Sequence, residues 1–455
     1  MTAQPDRAAA QNASVDDCVE HTRVRAQRAS GTLVPLSVLD LLIGHLNMAG
    51  VYFFERAPDI RLLQRALADA LRRHPCFGGS LVRRDGGFHL LQDDTGVDFS
   101  VVRSAAAATD AMYAGPVLLG NPLLDSFPFE QAPFEYVPGS GRPLNTFKLT
   151  LFDDGSAALT VRNIHSLADG SGVSAFMRTW SQHYRGAAPD APSEPGRHVI
   201  ARLADGDGLA PSPHFDRLPT ERAFVEHIDV DPDAYGTRYV DIPNALIERA
   251  LSRARRIDAR IGSSDFVHAL AWRAFACGSG LDDGASSRLF TIFDIRRVAG
   301  LHIPASFEGN ALLERSATLR CGELRELPLA HLALRYRAQV KPLQADDIRR
   351  DLAFLQREYA QGHIDPLSGR FSRFVRASLV ECMNAGALFV NDMRRLAAAD
   401  VAFETRARRY ETAIALGRSF VFIYLRGSCT TFLYTGARSS LEAFEFALRS
   451  ALDAD

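Results

Sequence analysis

His165 and Asp169 stand four positions apart in the run His165-Ser166-Leu167-Ala168-Asp169-Gly170, and this run offers the chain's sharpest chemistry. An imidazole exchanges protons near neutral pH, with a reference pKa of about 6.5. A positioned general base typically contributes roughly 10²- to 10⁴-fold in rate. Before His165 the residues alternate: Leu159, Val161, Asn163 and His165 fall on one face of a strand, because strand side chains repeat every second residue. After it comes a helix, with Val173, Phe176, Met177, Trp180 and Tyr184 on one apolar stripe. A loop between strand and helix can project a side chain into a cleft on a rigid support. His165 is thus placed to act as a base. The same short run has plainer uses: a histidine can be satisfied in a core, and Asp169 can be only the N-cap of the following helix, its carboxylate accepting backbone N–H bonds.

The elements that must hold this loop follow from periodicity. Residues 60–74 read as an amphipathic helix with Leu63, Ala66, Leu67, Ala70 and Leu71 on one stripe. Strand-like stretches flank it at 51–54 and 97–102, and residues 144–164 read as a hairpin turning at Asp154-Gly155. From 186 to 219 the chain is rich in Pro, Gly and Asp and no period survives. The expected organisation is a flexible leader over 1–30, a first domain over 31–185, a linker over 186–219 and a second domain over 220–455. The second block alternates similarly. It shows a helix at 264–276, a buried-type strand at 289–295, two long helical patterns over 323–361, a hairpin of 419–425 with 430–435, and a last helix over 440–452. Strands interleaved with helices in both halves argue an α/β (α+β) protein with a cleft between the halves as the ligand site.

Composition narrows the classes. Of 455 residues, 47% are hydrophobic and 23% charged, with a formal net charge of −2. That is ordinary for a globular protein and provides no basic field for nucleic acid or an anionic membrane. The longest apolar runs, such as Phe420 to Leu425, fall far short of a membrane span, and residues 1–30 lack the apolar core of a signal peptide. A cytoplasmic location is expected. None of the six cysteines sits in a CxxC pair, so neither a disulfide framework nor a zinc site is expected. Phosphate-loop, dinucleotide, HExxH and GxSxG signatures are all missing.

Beyond the local run, several ordered features resemble one family. HSLADG at 165–170 resembles the HxxxDG motif of the BAHD acyltransferases, which share a superfamily with chloramphenicol acetyltransferase and peptide-synthetase condensation domains. Asp294-Ile295-Arg296, then Pro304, Phe307, Gly309 and Asn310, resembles the family's D-x-R, proline, aromatic and G-N series in order and spacing. Ala271-Trp272-Arg273 resembles the W-R helix before that strand, and Pro35-Leu36-Ser37 with Asp40 and VYFF resembles the opening segment. The resemblance implies two chloramphenicol-acetyltransferase-like domains with an active-site tunnel at their interface. It implies transfer of an acyl group from a thioester to a hydroxyl or amine, with no covalent acyl-enzyme. His165 would be the base, and Asp169 would pair with Arg296 behind it. Gly170, Asn310 and Asn391 are candidate substrate contacts. In isolation Arg296 reads equally as a solvated charge, and Asn310 as a turn residue. The donor would be acyl-CoA, or the phosphopantetheine arm of an acyl or peptidyl carrier protein in a condensation-like alternative. No permanent cofactor and no metal are expected, and the expected state is a monomer.

One departure stands out. Where the family shows D-F-G-W-G, this chain has Ala402-Phe403-Glu404-Thr405-Arg406, keeping only the phenylalanine. Val390-Asn391-Asp392-Met393 replaces a T-S-W segment that lines the active site in the family, so the stabiliser of the oxyanion is left open. A binding protein that keeps the fold without catalysis is the further alternative favoured by the lost D-F-G-W-G.

Overall fold

A computed structural model of the chain describes residues 17–44, 46–104, 123, 139–189, 196–204, 215–217, 234–341, 343–365, 374–376, 385–396, 400–412 and 419–453. Two compact units result, and neither is one continuous stretch. The first comprises Met1–Leu36, Leu46–Pro195 and Ala397–Ile414; the second comprises Ser37–His45, Gly196–Leu396 and Ala415–Asp455. The continuous blocks expected at 31–185 and 220–455 therefore exchange two segments, because strand pairing and buried hydrogen bonds, not sequence proximity, decide where a segment packs.

The first unit is built on a six-stranded sheet in the order β1-β6-β7-β8-β3-β15. Its strands are β1 (Asp17–Val24), β3 (Asn47–Phe54), β6 (Val97–Ser104), β7 (Asn145–Phe152), β8 (Ala157–Ile164) and β15 (Arg409–Thr412). β1 lies inside the expected leader, yet it pairs with β6 from Asp17↔Arg103 to Val24↔Val97; residues 1–16 lie outside the described residues. The hairpin β7–β8 forms as expected, with Gly155 at φ +82°, a left-handed value that favours glycine. Two helices, α2 (Ile60–Arg73) and α3 (Gly170–Tyr184), pack on the sheet face that carries Phe99 and Phe147. The buried stripe of α2 is the expected Leu63, Ala66, Leu67, Ala70 and Leu71. The Trp180 indole of α3 donates to the Leu63 carbonyl at 2.9 Å, locking the two helices together. A small sheet, β2 (Leu33–Pro35), β5 (Gly87–Leu91) and β4 (Ser80–Arg84), completes the unit.

The second unit repeats the plan with the order β10-β17-β16-β14-β11-β12. These are β10 (Tyr235–Pro243), β11 (Ser286–Asp294), β12 (Leu312–Arg320), β14 (Ala387–Asp392), β16 (Phe420–Arg426) and β17 (Cys429–Ala437). β14 runs parallel to both β11 and β16. One face is covered by α5 (Asn244–Ile257), α6 (Ser263–Gly278), α8 (Leu329–Val340) and α10 (Leu441–Asp453). Eleven residues of α6 are buried, so this helix has almost no wet face. Its Trp272 indole is satisfied by the Ser287 hydroxyl at 2.8 Å. A second cluster joins α1 (Val38–Leu42), α4 (His198–Leu203) and α9 (Ala345–Ala360) with Ile295, Phe307 and Leu313. A two-stranded ribbon pairs β9 (Phe215–Arg217) with β13 (Phe374–Arg376).

Two expectations are corrected here. The stretch expected as two helices is three, α7 (Cys321–Glu326), α8 and α9. Pro328 opens α8 and forces Leu327 into an extended conformation, at φ −60° and ψ 139°. The expected linker also contains α4, whose Ile200 is fully buried, and Arg197 just before it is buried as well; residues 205–214 and 218–219 lie outside the described residues.

Candidate active site

The strand β8 delivers His165. Leu159 and Val161 are buried at 0% and 5% exposure, while the His165 side chain is half-buried. Its backbone N–H donates to the Leu46 carbonyl at 2.8 Å and that of Ile164 to Leu144 at 3.1 Å, so the strand end is tied on both sides. Leu167 then turns back, its N–H reaching the Ile164 carbonyl at 3.1 Å, and Leu167 and Ala168 are fully buried beneath the loop. Short, tied and apolar underneath, this loop has little freedom to move the imidazole.

Asp169 is the N-cap of α3: its Oδ1 accepts from the backbone N–H groups of Ser171 at 3.0 Å and Gly172 at 3.1 Å. A carboxylate there also meets the positive end of the helix dipole. The side chain is fully buried. The capping use left open by the sequence is thus realised, and it turns the carboxylate away from bulk water. Gly170 is the first residue of α3 and is half-buried.

In the second unit Arg296 is 4% exposed and fans its guanidinium into a loop. Its Nε and Nη2 donate to the Phe307 carbonyl at 3.2 and 3.0 Å, Nη2 also donates to the Gly309 carbonyl at 2.8 Å, and Nη1 meets Asp294 Oδ1 at 3.1 Å. The guanidinium lies over the Phe307 ring, 5.4 Å from its centroid. It is not a solvated charge at a strand end.

Asn310 follows and is fully buried. Its backbone N–H and its Nδ2 both donate to Asp40 Oδ1, at 2.9 and 2.8 Å. Buried and bonded to a carboxylate, it frames the loop. Asp40 and Arg197, which meet at 2.7 Å, were not singled out as site residues. Ser37-x-x-Asp40 reads as a capping box, but nothing in the sequence links Asp40 to a residue 270 positions away.

Asn391 stands half-buried on β14, opposite Phe422 of β16. It shares a sheet face with Phe389, Phe420 and Phe422, while Val390 faces the helices. Behind this strand Asp392 is gripped by both arms of Arg394, at 2.8 and 2.7 Å, and Arg394 reaches the Ser263 hydroxyl at 3.0 Å. Burial pushes the Asp392 carboxyl up, but the Arg394 fork outweighs it and leaves the group below the usual carboxylate range.

The segment that replaces D-F-G-W-G keeps a clear position. Phe403 is 4% exposed and packs against Phe54, Trp180 and Tyr184, with ring centroids at 5.4, 5.4 and 5.2 Å. The Ser181 hydroxyl donates to the Ala402 carbonyl at 2.7 Å and accepts from the Ala402 N–H at 2.9 Å. Tyr184 donates to Glu404 at 2.7 Å. Burial and that bond push the Tyr184 hydroxyl up to about 12. One phenylalanine and two polar staples on α3 thus hold the segment in place.

Among the described residues no cluster of three or more His, Cys, Asp or Glu side chains is arranged for a metal ion, and no helix is long and apolar enough to cross a membrane.

The chain thus has two α/β units and, in the first, a histidine that closes a strand ahead of a capped helix. The sequence model of the Transferase family matches residues 20–357, and the chain belongs to that family, the BAHD acyltransferases. Hydroxycinnamoyltransferase of Narcissus pseudonarcissus is 25% identical over 375 residues, covering 77% of this chain and 79% of the relative. Putrescine hydroxycinnamoyltransferase 3 of Oryza sativa subsp. japonica is 27% identical over 319 residues, covering 66% and 68%. Among solved structures, TRI101 of F. graminearum complexed with coenzyme A and deoxynivalenol superposes with a TM-score of 0.70 at 13% identity, covering 90% of this chain and 96% of that one. This likeness is one of fold.

Proposed function

We propose that this acyltransferase moves an acyl group from an acyl-CoA to a hydroxyl or amine of a small molecule, with His165 as general base and no covalent acyl-enzyme. The observation that carries the proposal is the anchoring of His165. Its backbone is tied to Leu46 at 2.8 Å and its loop rests on the buried Leu167 and Ala168, while its side chain keeps partial access. The imidazole takes the proton of the acceptor as its oxygen or nitrogen attacks the thioester carbonyl. The tetrahedral oxyanion collapses, the C–S bond breaks, and the imidazolium returns the proton to the leaving thiolate. Asp169 and Arg296 are proposed as an ion pair that braces the loop from behind. Asn391 is proposed as a polar contact for bound substrate, and its aromatic neighbours Phe389, Phe420 and Phe422 suit a planar or bulky apolar group. Relatives that act on hydroxycinnamoyl groups and putrescine, and a structural neighbour complexed with coenzyme A, support the choice of donor and acceptor class.

The test is release of free thiol from acetyl-, hexanoyl- and p-coumaroyl-CoA, each against aliphatic alcohols, shikimate and putrescine. Wild-type protein should release thiol with at least one pair. His165→Ala should lower that turnover by roughly 10²- to 10⁴-fold without a change in melting temperature. Undiminished turnover by this variant refutes the proposed base.

A further inference from the structure

Asp40 is a densely bonded buried carboxylate of the second unit. Its Oδ2 accepts from the Ser37 N–H at 2.8 Å and the Ser37 hydroxyl at 2.7 Å. Its Oδ1 accepts from the Asn310 N–H at 2.9 Å, from Asn310 Nδ2 at 2.8 Å and from Arg197 Nη1 at 2.7 Å. Asp40 is fully buried and Arg197 is 2% exposed.

A buried ion pair is an uneconomical way to stabilise a fold. Each ion loses its hydration, and well-packed apolar replacements are often neutral or stabilising. What a carboxylate with assigned oxygens supplies is direction. One oxygen closes the capping box of α1, a helix of five residues that is too short to persist alone. The other oxygen seizes the loop at Asn310. Arg197 presses on the same loop from beside it: a Cβ added at Gly309 would lie 3.1 Å from Arg197 Nη1 and 2.8 Å from Phe307 Cζ. The carbonyls of Phe307 and Gly309 are those that receive the Arg296 guanidinium. Residues 307–310 are therefore gripped by Arg296 through their carbonyls and by Asp40 and Arg197 at Asn310 and Gly309. A shift of this loop moves the acceptors that aim Arg296.

We propose that Asp40 and Arg197 are positioning residues of the acyl-transfer reaction, holding the 307–310 loop whose carbonyls aim the Arg296 guanidinium. This rests on the brace assigned above to Arg296. It also gives the excursion of residues 37–45 into the second unit a purpose: it brings the carboxylate to the loop.

The test uses the full-length protein and four variants: Arg197→Met, Arg197→Lys, Asp40→Leu, and the double Asp40→Leu/Arg197→Met. Each single loss leaves the partner charge buried and should lower the melting temperature. The double variant should regain much of it. Turnover should not return with stability. Against the best acyl-CoA and acceptor of the panel above, kcat of the double variant should stay roughly tenfold or more below wild type, since misplacement by about 1 Å can cost on the order of 10² in rate. KM for the thioester should change far less than kcat. In protein labelled with ¹⁵N-arginine, hydrogen exchange of the Arg296 Nε–H, protected in wild type by the Phe307 carbonyl, should speed up. Arg197→Lys, which can still donate to Asp40, should recover part of the kcat that Arg197→Met loses, and it decides the question if the double variant does not fold. A double variant with wild-type stability, wild-type kcat and wild-type Arg296 protection overturns the proposal. His165→Ala in the same assay separates the two ideas. If it retains full turnover, the base assignment has failed, and Arg296 exchange alone then decides whether Asp40 and Arg197 aim the guanidinium.

Discussion

Phe403→Ala tests whether a single ring holds the returning segment to α3. The side chain is 4% exposed and three rings surround it, with centroids between 5.2 and 5.4 Å away. Truncating a buried phenylalanine costs about 3–5 kcal/mol, the lost transfer energy plus the cavity left behind. Two of the neighbours, Phe54 and Trp180, are fully buried. Stiff rings fixed in this way cannot collapse into the hole, so a value of about 4–5 kcal/mol is expected. Phe403→Leu keeps most of the volume and should cost about 1.5 kcal/mol. The chain offers a built-in assay, because it has two tryptophans, Trp180 in the first unit and Trp272 in the second. In a Trp272→Phe background, fluorescence during urea unfolding reports the surroundings of Trp180, which touch Phe403 directly. The midpoint should move sharply down for alanine and slightly for leucine. A loss below about 1 kcal/mol for Phe403→Ala, less than a third of the usual cavity cost, would refute the idea that this residue anchors the segment.

Asp169→Asn and Arg296→Ala should each lower stability, by about 3–5 kcal/mol if they form the proposed buried pair, and should lower turnover as well. The double variant should suffer less than the sum, and a strictly additive cycle by chemical denaturation would remove the pair from the mechanism. Gly309→Ala should lower kcat and stability together, because its Cβ would meet the Phe307 ring at 2.8 Å; wild-type values for both would show that the loop yields freely. One contribution to the pH dependence comes from His268, whose Nδ1 donates to the Ser264 carbonyl at 2.7 Å while Nε2 meets Thr291 at 2.8 Å. Burial pushes this imidazole below the ordinary histidine value. The unfolded chain therefore binds the proton first, and stability is full above about pH 6.5 and falls as the pH drops from there through the lower folded value. The Asp392 carboxylate loses its contribution only below its ordinary value of 3.8, a separate window. Melting temperatures between about pH 7.5 and pH 5 should fall more steeply for wild type than for His268→Gln, and parallel curves would exclude His268 as the cause.

What could be read in the sequence was what is local. The α2 stripe, the β7–β8 hairpin with its glycine, and the strand–loop–helix around His165 are all encoded within about a dozen residues, the reach of periodicity and turn chemistry. Arg296 and Asn310 entered by resemblance; the partners of Arg296 at Asp294, Phe307 and Gly309 belong to the same motif series, but the pattern does not link Asn310 to the residue that holds it. The partner of Asn310 lies 270 positions away, on a helix one turn long. Arg197 lay in a stretch where proline and glycine hid the single helix that follows it. The segment at 402–406 looked degraded because its letters had changed. Its position is kept by one phenylalanine and by hydroxyls on α3, which a motif comparison does not weigh. The strand Arg409–Thr412 is short, and its pairing with β3 is set by the fold alone.

That last pairing has a consequence for how the chain is made. During synthesis the first unit emerges almost complete by residue 195, but its sheet lacks the edge strand that arrives with residues 409–412. Until then Gly50, Val51, Tyr52 and Phe53 of β3 have hydrogen bonds on one side only, and the ring cluster on α3 lacks Phe403. An apolar strand edge of that kind invites pairing with other chains, and domains generally fold in order of emergence at about 5–20 residues per second. The nascent protein therefore spends on the order of ten seconds or more with this edge open. A fragment ending near residue 195 would keep it open permanently, so the two units are not interchangeable parts that can be expressed apart and mixed.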